Sequence, residues 1–150
     1  GAAGKTGRAI LQALKSKGAD VRTMVRRDEQ IPSIKKTGAD EVIVGDMLNL
    51  SQVAIAVRGV DKVYHICPNV SPDEFVIGEN ILSAAKSAGV EHFVYHSVLH
   101  PQTRDMPHHW KKNQVEEKIF ASFGISVQVA HTKYGRYPYC CCHRPAAGGK

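Results

Sequence analysis

Three glycines spaced three apart open the chain, Gly1-Ala2-Ala3-Gly4-Lys5-Thr6-Gly7, and lead straight into an amphipathic segment, Arg8–Lys17. Glycine has no Cβ to hold a ligand away from the backbone. A G-x-x-G-x-x-G turn therefore lets N–H groups approach a pyrophosphate, and the following helix aims the positive end of its dipole at the same point. The strand-like run Val21–Val25 comes next and ends in Arg26-Arg27. An acidic residue at such a strand end bonds a ribose 2′-hydroxyl, whereas arginine suits a 2′-phosphate. The pair predicts NADP in preference to NAD, with NAD still admissible.

A dinucleotide loop of this kind follows a buried strand, and that strand lies in the middle of its sheet. The sequence is accordingly read as a fragment lacking its first strand. The alternative is an ordinary surface turn over Gly1–Gly7, since short glycine patterns recur by accident.

Downstream the periodicity alternates. Ile10, Ala13, Leu14 and Lys17 fall on one helical stripe, closed by Gly18. After the strand Val21–Val25 comes a short basic helix or link, Gln30–Thr37. Then follow a strand Glu41–Gly45, a helix Ser51–Arg58 closed by Gly59, and a strand Lys62–Cys67 stopped by Pro68. Ser71-Pro72-Asp73-Glu74 reads as a helix start in which Glu74 completes a capping box. Val76, Ile77, Ile81, Leu82 and Ala85 form that helix's apolar face, and Gly89 ends it. Glu91–Ser97 is a strand. Trp110–Phe123 is a helix with Val115, Ile119, Phe120 and Phe123 inward, and Ile125–Ala130 is a last strand. Strands joined by helical connections of this length form a parallel sheet with helices on both faces, an α/β, Rossmann-like, doubly wound arrangement. From His131 the pattern dissolves into an irregular tail, so residues 1–130 are expected to be the domain and 131–150 disordered.

Composition narrows the function. With 43% hydrophobic and 23% charged residues the chain belongs to the globular class. No apolar run approaches a membrane span and no signal-peptide pattern opens the sequence, so no membrane partner and a cytosolic location are expected. The net charge of +6 is spread over helices with no long basic cluster or aromatic platform, so nucleic acid is not an expected partner. Cys67 reads as a small buried hydrophobe. Cys140, Cys141 and Cys142 are adjacent and lack the spacing that lets two thiolates reach one zinc.

Gly1–Gly7, Val25-Arg26-Arg27, Val44-Gly45-Asp46, Gly59-Val60-Asp61, Val90–Ser97 and Lys112-Asn113-Gln114-Val115-Glu116 follow one another in order and spacing. Together they resemble the NmrA-like branch of the atypical short-chain dehydrogenase/reductase superfamily, over about residues 1–130. The resemblance implies a Rossmann fold binding NAD(P). By position in that family, Gly1, Gly4, Lys5, Thr6 and Gly7 would cradle the pyrophosphate, and Arg26 with Arg27 would hold the 2′-phosphate. Asp46 and Met47 would lie by the adenine. Cys67 and Pro68 would end the strand facing the ribose and nicotinamide, and Lys112 would bond the nicotinamide ribose. Lys5, Arg27 and Lys112 also read as solvated charges, and Asp46 as a turn residue.

The pattern departs from that resemblance at catalysis. Hydride-transferring members of the wider superfamily place a tyrosine four residues before the lysine, with a serine on an earlier strand. Here the position four before Lys112 is His108, while Ser97 remains. Lys112, Ser97 and His108 are therefore the candidate catalytic residues. The NmrA-like family that the chain resembles includes non-catalytic redox sensors, and other relatives reduce quinones with NADPH. The expected function is NADP(H)-dependent reduction of a small quinone or carbonyl substrate. The alternative is an NAD(P)-sensing regulator that binds a protein partner. His92, His96, His100, His108 and His109 crowd one end of the fourth strand and its loop, and are read as a polar substrate-side rim, with no metal site.

Overall fold

The computed structural model describes residues 1–122 and 125–132. Strands β1 (Arg22–Val25), β2 (Glu41–Val44), β3 (Lys62–His65), β4 (His92–Val98) and β5 (Ser126–Thr132) alternate with helices. The helices are α1 (Lys5–Lys15), α2 (Ile31–Thr37), α3 (Leu50–Val57), α4 (Glu74–Ser87) and α5 (Pro107–Phe120), and a single 3-10 turn, Asp28–Gln30, leads into α2. Local chemistry explains several of the boundaries. Asn49 caps α3 by accepting the Gln52 N–H at 3.2 Å. Pro32 sits in the first turn of α2, and Gly38 ends that helix at φ 117°, a left-handed conformation that glycine adopts without strain.

Every strand pair among the described residues is parallel. β1 pairs with β2 in one sheet, and β3, β4 and β5 pair in that order in a second. Among the described residues β1 and β3 are each paired along one edge only. Side chains alternate across β1: Val25 joins Leu11, Ile34 and Ala39 in a core under α1 and α2, while Met24 packs against the larger core under α3, α4 and α5. The helices thus cover both faces, and the α/β, doubly wound reading holds. The larger core centres on Phe93, Tyr95 and Ile119, none of which is solvent-exposed. Each such side chain contributes about 1.5–3 kcal/mol relative to an exposed position.

Several sequence-based details differ. Leu11, 2% exposed, is the buried anchor of α1 together with Gly7, while Ala13 and Lys17 face solvent. β3 stops at His65, two residues before Cys67. Val76 and Phe120 are exposed rather than inward. β5 continues through His131 and Thr132, because Ser97 and Val98 at the end of β4 supply ladder partners for both. Phe123, Gly124 and the tail with its three adjacent cysteines lie outside the described residues.

Candidate functional site

The glycine loop is built by close backbone approach. Gly4 N–H donates to the Gly1 carbonyl at 3.1 Å, and Arg8 N–H donates to the Gly4 carbonyl at 3.0 Å, the first helical bond of α1. A Cβ on Gly1 would lie 2.6 Å from the Ile66 carbonyl oxygen, and one on Gly7 would lie 2.6 Å from the Ala2 carbonyl oxygen. Backbone already fills both spaces, so neither position accepts a larger residue without movement. Gly4 is the N-cap of α1, and no side chain among the described residues caps that terminus. Lys5 and Thr6 open the helix and are exposed. The result is an eleven-residue helix with an uncapped positive end behind a side-chain-free turn, a geometry that fits a pyrophosphate.

At the ends of β1 and β2, Arg26 Nη2 lies 3.6 Å from Asp46 Oδ2, with the arginine side chain 77% exposed. Gln30 Oε1 accepts the backbone N–H of both Arg26 and Arg27, each at 3.1 Å. Those backbone donors are thus engaged, while the Arg26 guanidinium, beside Asp46, stays largely exposed. Asp46 also shapes its own turn: Oδ1 accepts Leu48 N–H at 3.0 Å, and Gln52 Oε1 accepts Asp46 N–H at 2.7 Å. Asp46 thus both shapes the turn and lies beside Arg26. Met47 packs its side chain against the larger core, and its carbonyl accepts from Asn80.

A buried polar cluster occupies the carboxyl ends of β3 and β4. Glu74, 2% exposed, accepts the Tyr95 hydroxyl at 2.7 Å and the Lys112 ammonium at 2.9 Å, both on Oε1. Lys112 also donates to the His96 carbonyl at 3.2 Å, and its ammonium lies 5.2 Å from the centre of the Tyr95 ring. Cys67 is 5% exposed. Burial, followed by the charge and hydrogen bond of Glu74, pushes its thiol up to about 12, so it stays protonated and is a poor nucleophile. The Tyr95 phenol is raised for the same reasons, burial first. Pro68, by contrast, is exposed. Glu74 therefore does not act as a cap. Asp73 is the N-cap of α4 and makes no side-chain capping bond, while Ser71 Oγ accepts Asp73 N–H. Glu74 turns inward because it shares the buried stripe of Ile77, Gly78, Ile81 and Ala85. A carboxylate on an apolar stripe was the signal that could have marked it.

The other proposed catalytic residues lie apart from this cluster. Ser97 is fully buried, and its hydroxyl donates to Glu116 Oε1. His131 Nε2 lies 3.1 Å from the same oxygen, so the Ser97–Glu116–His131 group ties β4, α5 and β5 together. His108 is partly exposed and meets His109 edge-on at 4.5 Å. The remaining histidines separate: His92 meets Ser126 Oγ, His96 meets the Tyr64 hydroxyl, and His109 donates Nδ1–H to the His100 carbonyl. Among the described residues no three metal-ligating side chains converge. His100 and Val70 hold positive φ values of 58° and 53° in the loops after β4 and β3, a conformation that costs a non-glycine residue about 1–2 kcal/mol. Thr103 and His109 bonds to the His100 carbonyl help retain the first of these. His65, stacked on Tyr95 at 5.7 Å, keeps Nε2 buried without a partner among the described residues. Burial and then the Lys112 charge lower its pKa to about 3, so the ring is neutral at physiological pH. No helix among the described residues is long and apolar enough to cross a membrane.

The chain is 24% identical to the Escherichia coli NADPH-dependent quinone oxidoreductase solved with NADPH, with a TM-score of 0.76 over 87% of this chain and 46% of that one. It is 25% identical to the Citrobacter sp. triphenylmethane reductase solved with NADP(H), again with a TM-score of 0.76, over 87% of this chain and 47% of that one. It is 30% identical over 94 residues to the NAD(P)H azoreductase of Xenophilus azovorans, covering 63% of this chain and 32% of the azoreductase. The chain thus spans less than half the length of these relatives. The profile of the NAD(P)H-binding family matches residues 1–129, and with the uncapped glycine loop in a doubly wound parallel fold this places the chain in that family, beside the NmrA-like, atypical short-chain reductases.

Proposed function

We propose that this chain is the cofactor-binding part of an NADP(H)-dependent oxidoreductase that reduces a quinone or carbonyl compound. One observation carries the reading: the phosphate loop adjoins the buried polar cluster. Gly1, at the start of the phosphate loop, abuts Ile66, and the next residue, Cys67, faces Glu74 and through it Lys112. In doubly wound folds a ligand lies at the carboxyl ends of the strands where the winding reverses. A dinucleotide laid there with its pyrophosphate on Gly1–Gly7 would direct one half to Arg26 and Arg27 and the other to Lys112. The reductases among the relatives support the same class of reaction.

Within this reading Gly1, Gly4, Lys5, Thr6 and Gly7 hold the pyrophosphate, Arg26 holds the 2′-phosphate with Arg27 beside it, and Lys112 holds the nicotinamide ribose. Asp46 and Met47 flank the adenine, and Cys67 with Pro68 borders the nicotinamide. Bound NADPH supplies a hydride. A quinone takes its proton from water, so the burial of Ser97 and the seating of His108 against His109 do not oppose the reading. The test is NADPH oxidation with a benzoquinone and, separately, with an aromatic aldehyde. Turnover of either supports the proposal. Saturable NADPH binding without turnover of either overturns it in favour of the sensor.

A further inference from the structure

A carboxylate buried to 2% exposure is costly unless every neighbour compensates it. Glu74 takes two donors on one oxygen, the Tyr95 hydroxyl at 2.7 Å and the Lys112 ammonium at 2.9 Å. A lysine on a helix surface ordinarily samples many rotamers. Here α4 supplies Glu74, β4 supplies the His96 carbonyl at 3.2 Å, and the Tyr95 ring lies beside the ammonium, so Nζ is fixed from three sides. An ammonium has three N–H donors. Glu74 and His96 take two, which leaves one without a partner among the described residues.

We propose that Glu74 is a positioning residue for the nicotinamide half of the dinucleotide: it fixes the Lys112 ammonium at the carboxyl end of β4 and leaves a single N–H for the ligand. This rests on the reading that Lys112 bonds the nicotinamide ribose. It assigns a role to a residue that local sequence marks only as a helix cap. A purely structural ion pair would support the whole fold, and its loss would weaken every ligand alike. A positioning pair acts on one half of the cofactor.

The experiment titrates NADPH and adenosine 2′,5′-bisphosphate into the full chain by calorimetry. The second ligand carries the adenine and 2′-phosphate but no nicotinamide. The variants are Glu74→Gln, Lys112→Met and the double substitution, with near-ultraviolet dichroism confirming the fold of each. Glu74→Gln is expected to weaken NADPH about tenfold, the value of one charge-assisted hydrogen bond, and to leave the bisphosphate unchanged. Lys112→Met is expected to do the same, and the double variant no more than either alone. A selective loss in Lys112→Met with none in Glu74→Gln overturns the positioning role and leaves the lysine reading intact. No selective loss in Lys112→Met overturns both. Equal weakening of the two ligands in Glu74→Gln makes the carboxylate merely structural. Should Glu74→Gln not fold, Glu74→Asp decides, since it keeps the charge but withdraws the carboxylate by one methylene: selective NADPH loss supports the role, and unchanged binding overturns it.

Discussion

Lys112 Nζ lies 2.9 Å from Glu74 Oε1, with side-chain exposures of 12% and 3%. Two opposite charges held this far from water depend on each other. Removing one leaves the other desolvated and unpaired, at a cost of about 3–5 kcal/mol, whereas replacing both with apolar groups is often close to neutral. Glu74→Ala should therefore lower the unfolding free energy by that amount, and should also strip the Tyr95 hydroxyl of its acceptor. Glu74→Ala combined with Lys112→Met should recover a large share of the loss. Urea denaturation of the two singles and the double measures the coupling, and strict additivity would refute the interdependence.

Arg26 is the 2′-phosphate ligand of the proposed function. Arg26→Ala should remove about 1.5–3 kcal/mol from NADP binding and leave NAD almost unchanged. Because Arg26 is 77% exposed and faces Asp46 at 3.6 Å, that contact is screened and worth at most about 1 kcal/mol. Asp46→Asn should accordingly strengthen NADP only slightly, with the gain shrinking as salt is raised. Calorimetry with both cofactors checks the pair, and equal losses for NAD and NADP in Arg26→Ala would count against the assignment.

Gly7 is required for space, since a Cβ there would sit 2.6 Å from the Ala2 carbonyl oxygen. Gly7→Ala should displace the loop, lower stability by about 1–3 kcal/mol and abolish measurable cofactor binding. Gly18 has φ 76° with nothing within 4 Å of its Cβ position. Gly18→Ala should cost about 1–2 kcal/mol through left-handed strain alone and leave cofactor affinity intact. Thermal melts beside cofactor titrations separate the two effects.

Local signals carried most of the fold. Period-two and helical patterns are written within each segment, and among the described residues five strands and five helices emerge near the positions read from them. The glycine loop was legible for the same reason, since its geometry depends on neighbours within a few residues. Glu74 was not. Ser71-Pro72-Asp73-Glu74 carries a complete local cap signal, but its partners Tyr95 and Lys112 come from 21 and 38 residues away. The pairing of Ser97 with Glu116, 19 residues apart, is likewise tertiary. In each case a polar residue lies on an apolar stripe, Tyr95 and Ser97 on the same buried face of β4 as Phe93, and Glu116 beside Val115 and Ile119 in α5. That stripe position shows burial, while the partner is set only by which elements pack together.

His65 makes stability depend on acid. Its ring is buried and neutral, with the pKa lowered from 6.5 to about 3. The unfolded chain therefore binds one more proton than the folded chain between those values. The stabilising contribution is fully present above pH 6.5 and is lost as pH falls toward 3, with a slope of up to about 1.4 kcal/mol per pH unit for one proton. His65→Leu removes both the titration and the orphaned Nε2. Urea midpoints across pH 4–7 should decline less steeply toward acid in the variant, and parallel profiles would rule out His65 as the source.

Lys112 is fixed by Glu74 and the His96 carbonyl, whereas the His108 ring rests against His109. If the protein reduces a quinone, loss of Lys112 should misplace the hydride donor, and a misplacement of that kind lowers rate by about 100-fold. His108→Ala should change little, because a quinone accepts its proton from water. NADPH-driven benzoquinone reduction by Lys112→Ala and His108→Ala, followed across pH, compares them directly. Abolished turnover in His108→Ala would make His108 the acid and reverse the assignment. Unchanged turnover in Lys112→Ala would show that the lysine serves the fold and not the cofactor.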